Sequence, residues 1–564
     1  MKKKSQFDET CRDIRQLVYG AAARYPANNA FKVKVNGEIQ AITFQKVIRD
    51  MEALGTELVA QGFGECSMGI IGENSYPWYN CFLSVVCGGN VAVPFDKGFT
   101  AEELESSIIR SNIRLLFYDD RHEKLVEDVK ARGKVSVERY VRITGKDNEY
   151  DEMITSGERR VSGGDASFKL AKIDENALAV LLFTSGTTSQ SKAVMLSQYN
   201  IVSNVIDMYQ YETFYDDDVN MAFLPFHHSF GLVGAMVFLG LGACSVFCDG
   251  LKYVAKNLQE YGVTVFVGVP LLVENMYGKI IREIEKRDMT GKVKFGLRLC
   301  SALDKVRIHI RRKVFRQILE QLGGKLRLII CGAAPLSPEV AKGLNDFGIL
   351  TIQGYGLTET SPVLAAESPE YMKAGSVGKP LPRVKIIIAN ADEDGVGEIV
   401  ALGPNVMLGY LDQPEETKAV IKEGWFYTGD LGSLDEDGFL WIRGRSKNVI
   451  VMKNGKNIFP EEIEAMIDAL PYVEESLVFT REKHNEHVLW AKLVYNENYL
   501  RENNLTEEDL QRQAEKDMDE INERMPKYKH VNHFFLSQDP MIKTTTQKVR
   551  RNLEIEKILA SFED

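Results

Sequence analysis

Between Thr184 and Lys192 the chain reads Thr-Ser-Gly-Thr-Thr-Ser-Gln-Ser-Lys, so six of nine side chains carry hydroxyls and the last carries a cation. Hydroxyls and backbone N–H groups donate to phosphoryl oxygens, and Lys192 adds positive charge to the same loop. Gly186 allows a close backbone turn. The G-x-x-x-x-G-K-[ST] spacing of the nucleotide P-loop is missing, and a Ser/Thr-rich turn is often only a turn, so this loop takes its meaning from its partners.

Three other segments offer such partners. Cys331-Gly-Ala-Ala-Pro-Leu-Ser337 reads as a strand end feeding a helix capped by Ser337 with Pro338 at its first position. Its small residues leave room for a flat ring, although plain strand-to-helix packing would look the same. In Gln353-Gly-Tyr-Gly-Leu-Thr-Glu-Thr360, Gly354 and Gly356 flank an aromatic and a hydroxyl–carboxylate–hydroxyl triplet follows. Tyr355 can stack on a base, Thr358 can donate to a phosphate and Glu359 can hold Mg²⁺. Asp430, in Tyr427-Thr-Gly-Asp430, and Arg445 flank a short hairpin, so carboxylate and guanidinium can converge; a surface ion pair is the plainer alternative.

The elements around these segments alternate. The apolar run Ala177 to Phe183 reads as a strand buried on both faces, and 197–209 as a helix after the loop, which makes a strand–loop–helix corner. Upstream, helical periodicity over 9–23, 44–60, 79–87 and 101–110 alternates with strands at 68–71, 91–94 and 115–118, and a hairpin turns at Asn36-Gly37. Residues 145–175 read as a polar insertion, after which alternation resumes through 221–224, 243–247, 263–267 and 326–331. The fold class expected is α/β: a large N-terminal domain of mostly parallel sheets with flanking helices. From Gly397 short strands and turns take over. With a boundary at the charged Gly444-Arg-Ser-Lys-Asn448, the domains expected are 1–446 and a small α+β domain over 447–564.

Composition sets the limits. A chain of 564 residues is too long for one core, and 44% hydrophobic with 26% charged residues is ordinary for a globular protein. A net charge of −11 argues against nucleic-acid binding. The N-terminus has charge without an apolar segment behind it, and no window is long enough for a membrane span. Eight cysteines without a C-x-x-C pair fit a reduced, cytoplasmic chain. Attachment at the periphery of the inner membrane surface stays open.

Taken together, TSGTTSQSK, LPFHHSFG, GAAPLS, QGYGLTETS, GWFYTGD, GRSKNVIVMKNGKNIFPEEIE and KTTTQKVRR occur in the order and approximate spacing of the AMP-forming acyl-CoA synthetases. The chain resembles that family over about residues 10–555, with GAAPLS, QGYGLTETS and NGKNIFPEEIE most similar to the long-chain fatty acid branch. The resemblance implies two steps, in which a carboxylate attacks the α-phosphate of ATP to give acyl-AMP and pyrophosphate, and a thiol then displaces AMP while a small C-terminal domain rotates. It implies ATP, Mg²⁺ and CoA as cofactors. By similarity, Thr184, Ser185, Gly186, Thr187, Thr188 and Lys192 hold the β- and γ-phosphates, Thr358 the α-phosphate, and Glu359 with Thr184 the metal. Ala333, Ala334, Pro335 and Tyr355 line the adenine site, Gly354 and Gly356 on either side of Tyr355 also belong to the cofactor site, and Asp430 and Arg445 bind ribose. Lys548 falls at the adenylation lysine, Lys447 at the hinge, and Gly455 where the pantetheine arm passes. His228 matches the histidine between acyl pocket and phosphates; His227 stays unassigned.

Three positions depart from the family. Ser189 and Ser191 stand where Gly and Pro are usual, and Gln547 replaces the glycine before Lys548, removing backbone freedom there. The Pro225–Gly231 segment lacks the aspartate that pairs an amino-acid substrate's ammonium, and apolar Leu232–Leu241 follows, so an uncharged, fatty acid is favoured. No tryptophan follows the histidine as a gate, so chain length and aryl acids stay open. Two alternatives accompany this reading: an acyl-AMP ligase loading a separate acyl carrier protein, and a non-catalytic acyl- or nucleotide-binding paralogue, which the presence of all the adenylation residues disfavours.

Overall fold

The computed structural model describes residues 5–146, 148–184, 191–211, 213–452, 456–483, 486–543 and 549–562, with the side chains of 482–487 excepted. The chain forms two compact units, Met1–Ile386 with Ala401–Phe426, and Ile387–Val400 with Tyr427–Asp564.

The first unit is built on two sheets. Continuous apolar runs such as Leu-Ala-Val-Leu-Leu-Phe make strands buried on both faces, which is what a parallel sheet covered by helices demands. In the seven-stranded sheet, β1 (Leu178–Thr184) runs parallel to the strand Val91–Pro94 and antiparallel to β2 (Lys192–Ser197), which leads into helix α1 (Gln198–Tyr211). The segments on either side of 185–190 are therefore paired strands, and the helix begins only after the second of them. The reason is visible in Ala193-Val-Met-Leu196, whose residues pair with Val180–Phe183 and bury Ala193, Val194 and Leu196 in the core before the helix starts.

The nine-stranded sheet is parallel through its middle and antiparallel at its ends. It positions the remaining first-unit segments: α2 (Ser229–Gly240), buried along most of its length; α3 (Thr290–Asp304); β3 (Leu328–Cys331); α4 (Pro338–Asp346); and β4 (Leu350–Gly356). The 145–175 stretch holds two helices, Glu149–Ser162 and Ser167–Leu170, so it is folded rather than merely polar. Gly157 explains the docking of the first, since a Cβ there would sit 1.9 Å from the carbonyl oxygen of Ala53. Phe226 packs with Trp78 and Tyr79 at ring separations of 5.2 and 5.0 Å, which fixes the chain just before the His227–His228 pair.

In the second unit, β5 (Trp425–Leu434), whose first two residues still belong to the first unit, pairs antiparallel with β6 (Leu440–Arg445). A three-stranded sheet of Val473–Lys483, Glu486–Tyr495 and His533–Ser537 packs on helices Pro460–Asp468, Glu507–Glu523 and Arg551–Ser561. The last helix is fastened to the sheet by a buried Lys492–Glu554 pair at 2.8 Å and by Arg551 donating to the Val478 carbonyl at 2.7 Å, while the same guanidinium reaches both oxygens of Glu464, on the helix Pro460–Asp468, at 2.7 Å. All eight cysteines are free thiols, and among the described residues no helix is long and apolar enough to cross a membrane.

Candidate active site

Thr184 and Lys192 end the two strands of the β1–β2 hairpin as direct partners, and the Thr184 hydroxyl donates to the Lys192 carbonyl at 3.3 Å. Ser185, Gly186, Thr187 and Thr188 lie outside the described residues. The Lys192 ammonium sits 4.3 Å over the ring of Tyr410 and 3.1 Å from the Glu416 carboxylate. The same Tyr410 donates its hydroxyl to Oε1 of Glu359 at 2.9 Å, while the backbone N–H of Met407 donates to the Glu359 carbonyl at 2.8 Å. A single aromatic residue thus joins the loop cation to the carboxylate of the QGYGLTET segment.

The turn that carries Thr358 and Glu359 is rigidly held. Thr360 donates its hydroxyl to the Pro362 carbonyl at 2.6 Å and accepts from the Leu357 N–H at 3.0 Å, and Asn405 donates to the Thr360 carbonyl at 2.8 Å. Gly356 is obligatory, because a Cβ would meet the Pro362 oxygen at 1.9 Å. Upstream, Tyr355 and Gly354 continue β4, and the Gln353 side chain accepts from the Leu336 N–H at 3.0 Å, tying this strand to the Ala333-Ala334-Pro335 loop. Those three residues are exposed, and Ala333 holds φ at +72°, the left-handed region. Ser337 caps α4, accepting from the Val340 N–H at 3.5 Å, with Pro338 at the first position.

The histidine segment reaches the same turn. Ser229, the first residue of α2, donates its hydroxyl to that of Thr358 at 3.3 Å, and Phe230 lies against Gly332, whose Cβ would meet its ring at 3.2 Å. His228 is the residue that caps α2, and its ring is 4.2 Å from that of His227. His227 is buried with Nε2 3.2 Å from Oδ1 of Asp96; burial, reinforced by the neighbouring His228, pushes its pKa well below the usual imidazole range. A neutral His227 that donates to Asp96 fixes the orientation of the pair. Asp96, His227 and His228 bring three potential ligand atoms within 4.8 Å of one another. Among the described residues of the first unit, Thr184, Lys192, Thr358, Glu359 and His228 are thereby connected through Tyr410 and Ser229.

In the second unit Asp430 and Arg445 are opposed across β5 and β6, and Arg445 Nε meets Oδ1 of Asp430 at 2.7 Å. Asp430 is buried and Arg445 exposed, so the carboxylate is the fixed member. Gly429, with φ of +71°, donates its N–H to Glu398 at 3.0 Å, turning the chain just before Asp430. Lys447 is exposed in the single turn Ser446–Asn448. Gly455 and Lys548 lie outside the described residues. On either side of 544–548 the chain is fastened, since Lys543 pairs with Glu475, faces Val549 across an isolated bridge, and Arg550 N–H donates to the Ile542 carbonyl at 2.7 Å.

Sequence reading passed over Tyr410, Glu416, Ser229 and Asp96. Tyr410 gives no local signal; it arrives because Gly409–Tyr410 adds a short strand to Val194–Met195 at the sheet edge. Ser229 could have been found from its place beside the His pair.

The comparisons agree with this geometry. The AMP-binding enzyme model matches residues 19–411, and the AMP-binding enzyme C-terminal domain matches 447–561. The chain belongs to the AMP-binding enzyme family and is an AMP-forming acid–thiol ligase. It is 28% identical over 428 residues to long-chain-fatty-acid–CoA ligase FadD15 of Mycobacterium bovis, covering 72% of this chain and 70% of that protein. It is 29% identical over 464 residues to long-chain-fatty-acid–CoA ligase 5 of Rattus norvegicus, covering 76% and 68%. Among solved structures, the anthranilate CoA ligase AuaEII in complex with anthranoyl-AMP superimposes with a TM-score of 0.77 at 18% identity, covering 97% of this chain and 98% of that one. ATP-bound MatB from Rhodopseudomonas palustris gives 0.74 at 24%, covering 96% and 98%. These two similarities concern the fold.

Proposed function

We propose that this enzyme activates a medium- to long-chain fatty acid with ATP and transfers the acyl group to CoA. The observation that carries the reading is the Ser229–Thr358 contact, which brings the apolar helix after Pro225-Phe-His-His-Ser-Phe-Gly231 to the turn bearing Thr358 and Glu359. That helix offers an acid no charged partner, and most of its side chains after Ser229 are buried and apolar. The names of the curated relatives point to the same substrate class.

In the first step a carboxylate oxygen bonds to the α-phosphorus and pyrophosphate leaves; in the second the thiol loses its proton, sulfur bonds to the acyl carbon and AMP leaves. Lys192 and Thr184, with Ser185, Gly186, Thr187 and Thr188, bind the β- and γ-phosphates, and Thr358 donates to the α-phosphate. Glu359 suits Mg²⁺: it is a hard oxygen donor held in place by Tyr410, and among the described residues no cationic side chain pairs with it. When bound, the ion neutralises phosphate charge. Ala333, Ala334, Pro335, Gly354, Tyr355 and Gly356 receive the adenine, Asp430 and Arg445 the ribose, and His228 orients the carboxylate. Lys548 places its charge where negative charge gathers in the first step. The C-terminal domain begins at 447, with Lys447 as the hinge and Gly455 leaving room for the pantetheine arm.

The test is pyrophosphate release with ATP, Mg²⁺ and saturated acids of increasing length, alongside benzoate and amino acids, with and without CoA. Release that peaks with medium or long chains and turns over only with CoA is expected, and Lys548→Ala should lose roughly 100- to 1,000-fold in this step while still converting supplied acyl-AMP to thioester. Preference for benzoate or an amino acid overturns the fatty-acid reading; a single turnover despite CoA indicates a carrier protein as acceptor; silence throughout indicates a binding paralogue.

A further inference from the structure

Residues 290–316 contain nine Lys and Arg against one acid, Asp304, in a chain whose net charge is −11. Most of this segment is α3, and that helix is apolar on two faces. Inward, Gly296 and Cys300 are buried, with Gly296 packed so closely that a Cβ would meet Val314 at 3.1 Å and the Phe315 ring at 3.3 Å. Outward, Phe295, Leu299 and Ala302 follow helical spacing along a single stripe, continued by Val306 in the next turn. Phe295 is 70% exposed, Leu299 42%, Val306 64% and Ile308 49%. Single exposed apolar residues need no explanation, but three on one stripe with a fourth, Ile308, close by within fourteen positions do.

The basic residues divide by direction. Arg311 pairs with Asp304 and Asp346, and Arg312 donates to the carbonyls of Leu326 and Gly348, so these two anchor the segment to the unit. Lys292, Lys294, Arg298, Lys305, Arg307 and Lys313 are exposed and, among the described residues, engage no acid. On the helix, Lys292 flanks the apolar stripe on one side and Lys294, Arg298 and Lys305 on the other. A helix with an apolar ridge between rows of cations matches the interfacial zone of a bilayer, where ridge side chains enter the acyl boundary and the cations meet headgroup phosphates. Lys and Arg stems reach upward from such a position while their heads stay wet.

We propose that α3 and the turn after it dock this enzyme on the surface of an anionic phospholipid bilayer. The charge specifies the partner and the ridge specifies insertion; an acidic protein or a nucleic acid would use the first without the second. The docking is independent of the acid the enzyme activates.

The test is co-sedimentation of the full-length protein with vesicles of phosphatidylcholine alone and with roughly 30% phosphatidylglycerol. Expected is binding only to the anionic vesicles, weakened severalfold at about 500 mM NaCl. Two triple variants separate the parts: Lys294→Glu with Arg298→Glu and Lys305→Glu, and Phe295→Ser with Leu299→Ser and Val306→Ser. Each should lower partitioning at least ~10-fold while circular dichroism and thermal unfolding stay as in the wild type, because all six side chains point to solvent. Wild-type protein that remains in the supernatant, or an apolar variant that binds as well as wild type, overturns the proposal. So does retention on DNA or on an acidic protein without binding to vesicles.

Discussion

At the scale of single residues, Tyr410 carries more than its sequence context announces. Its ring lies under the Lys192 ammonium and its hydroxyl holds Glu359, so one buried side chain sets the spacing between the cation proposed to bind phosphate and the carboxylate proposed to hold Mg²⁺. Tyr410→Phe keeps the ring and deletes only the hydroxyl. A hydrogen bond to a charged group contributes about 1.5–3 kcal/mol, so the apparent KM for Mg-ATP should rise roughly 10- to 100-fold. The turnover number should move less, because the hydroxyl positions Glu359 without touching the reacting atoms. Pyrophosphate release measured against Mg-ATP checks this, and an unchanged KM would remove Tyr410 from the site. Thr358 and Glu359 were legible in the sequence because a hydroxyl, a carboxylate and a second hydroxyl in succession after Gly-Tyr-Gly state their chemistry locally. Tyr410 was not, because its role is created by strand pairing between distant parts of the chain.

At the scale of elements, β4 is positioned from behind by Glu367. That carboxyl is buried, accepts from the Gln353 N–H at 3.0 Å and from the Lys373 N–H at 3.3 Å, and burial pushes its pKa up to about 7. A carboxyl whose pKa folding has raised keeps its proton longer in the native state. Its contribution is intact below the ordinary value of 4.5 and is lost as pH rises through 7, an effect of up to about 3 kcal/mol. Glu367→Gln holds the group neutral at every pH. The expected result is a flatter dependence of Tm on pH between about 4.5 and 7, the wild type falling by several degrees more than the variant across that range. An identical slope in both proteins would show that Glu367 is ionised in the fold without penalty. Element types were largely readable from period and composition, as 44–60 and 91–94 show. The misreading at 193–196 came from treating an apolar run between a loop and a helix as part of the corner, when hairpin pairing with β1 had claimed it. For α3 periodicity was uninformative in another way, since two apolar faces leave the choice of the inner one to tertiary packing.

At the scale of the whole molecule, the chain holds separate cores in its two units, with Thr184, Lys192, Thr358 and Glu359 in the first and Asp430 and Arg445 in the second. The proposed reaction needs different groups at the same phosphate and acyl carbon in its two halves, and gains from moving a segment between steps; the segment proposed to move is 447–564, which lies within the second unit and begins after Asp430 and Arg445. Lys447 sits in a single turn with its side chain in solvent, so replacing it removes no core contact. Proline there fixes φ near −65° and takes away the torsion a rotation would use. Lys447→Pro should therefore leave pyrophosphate release within about 3-fold of wild type if the first-step arrangement accepts that φ, while thioester formation from supplied acyl-AMP falls on the order of 100-fold. The reverse pattern, with the second step spared and the first lost, would place the fixed torsion in the thioester-forming arrangement and keep Lys447 as the hinge. Equal loss in both steps, or none in either, would move the hinge elsewhere in the chain.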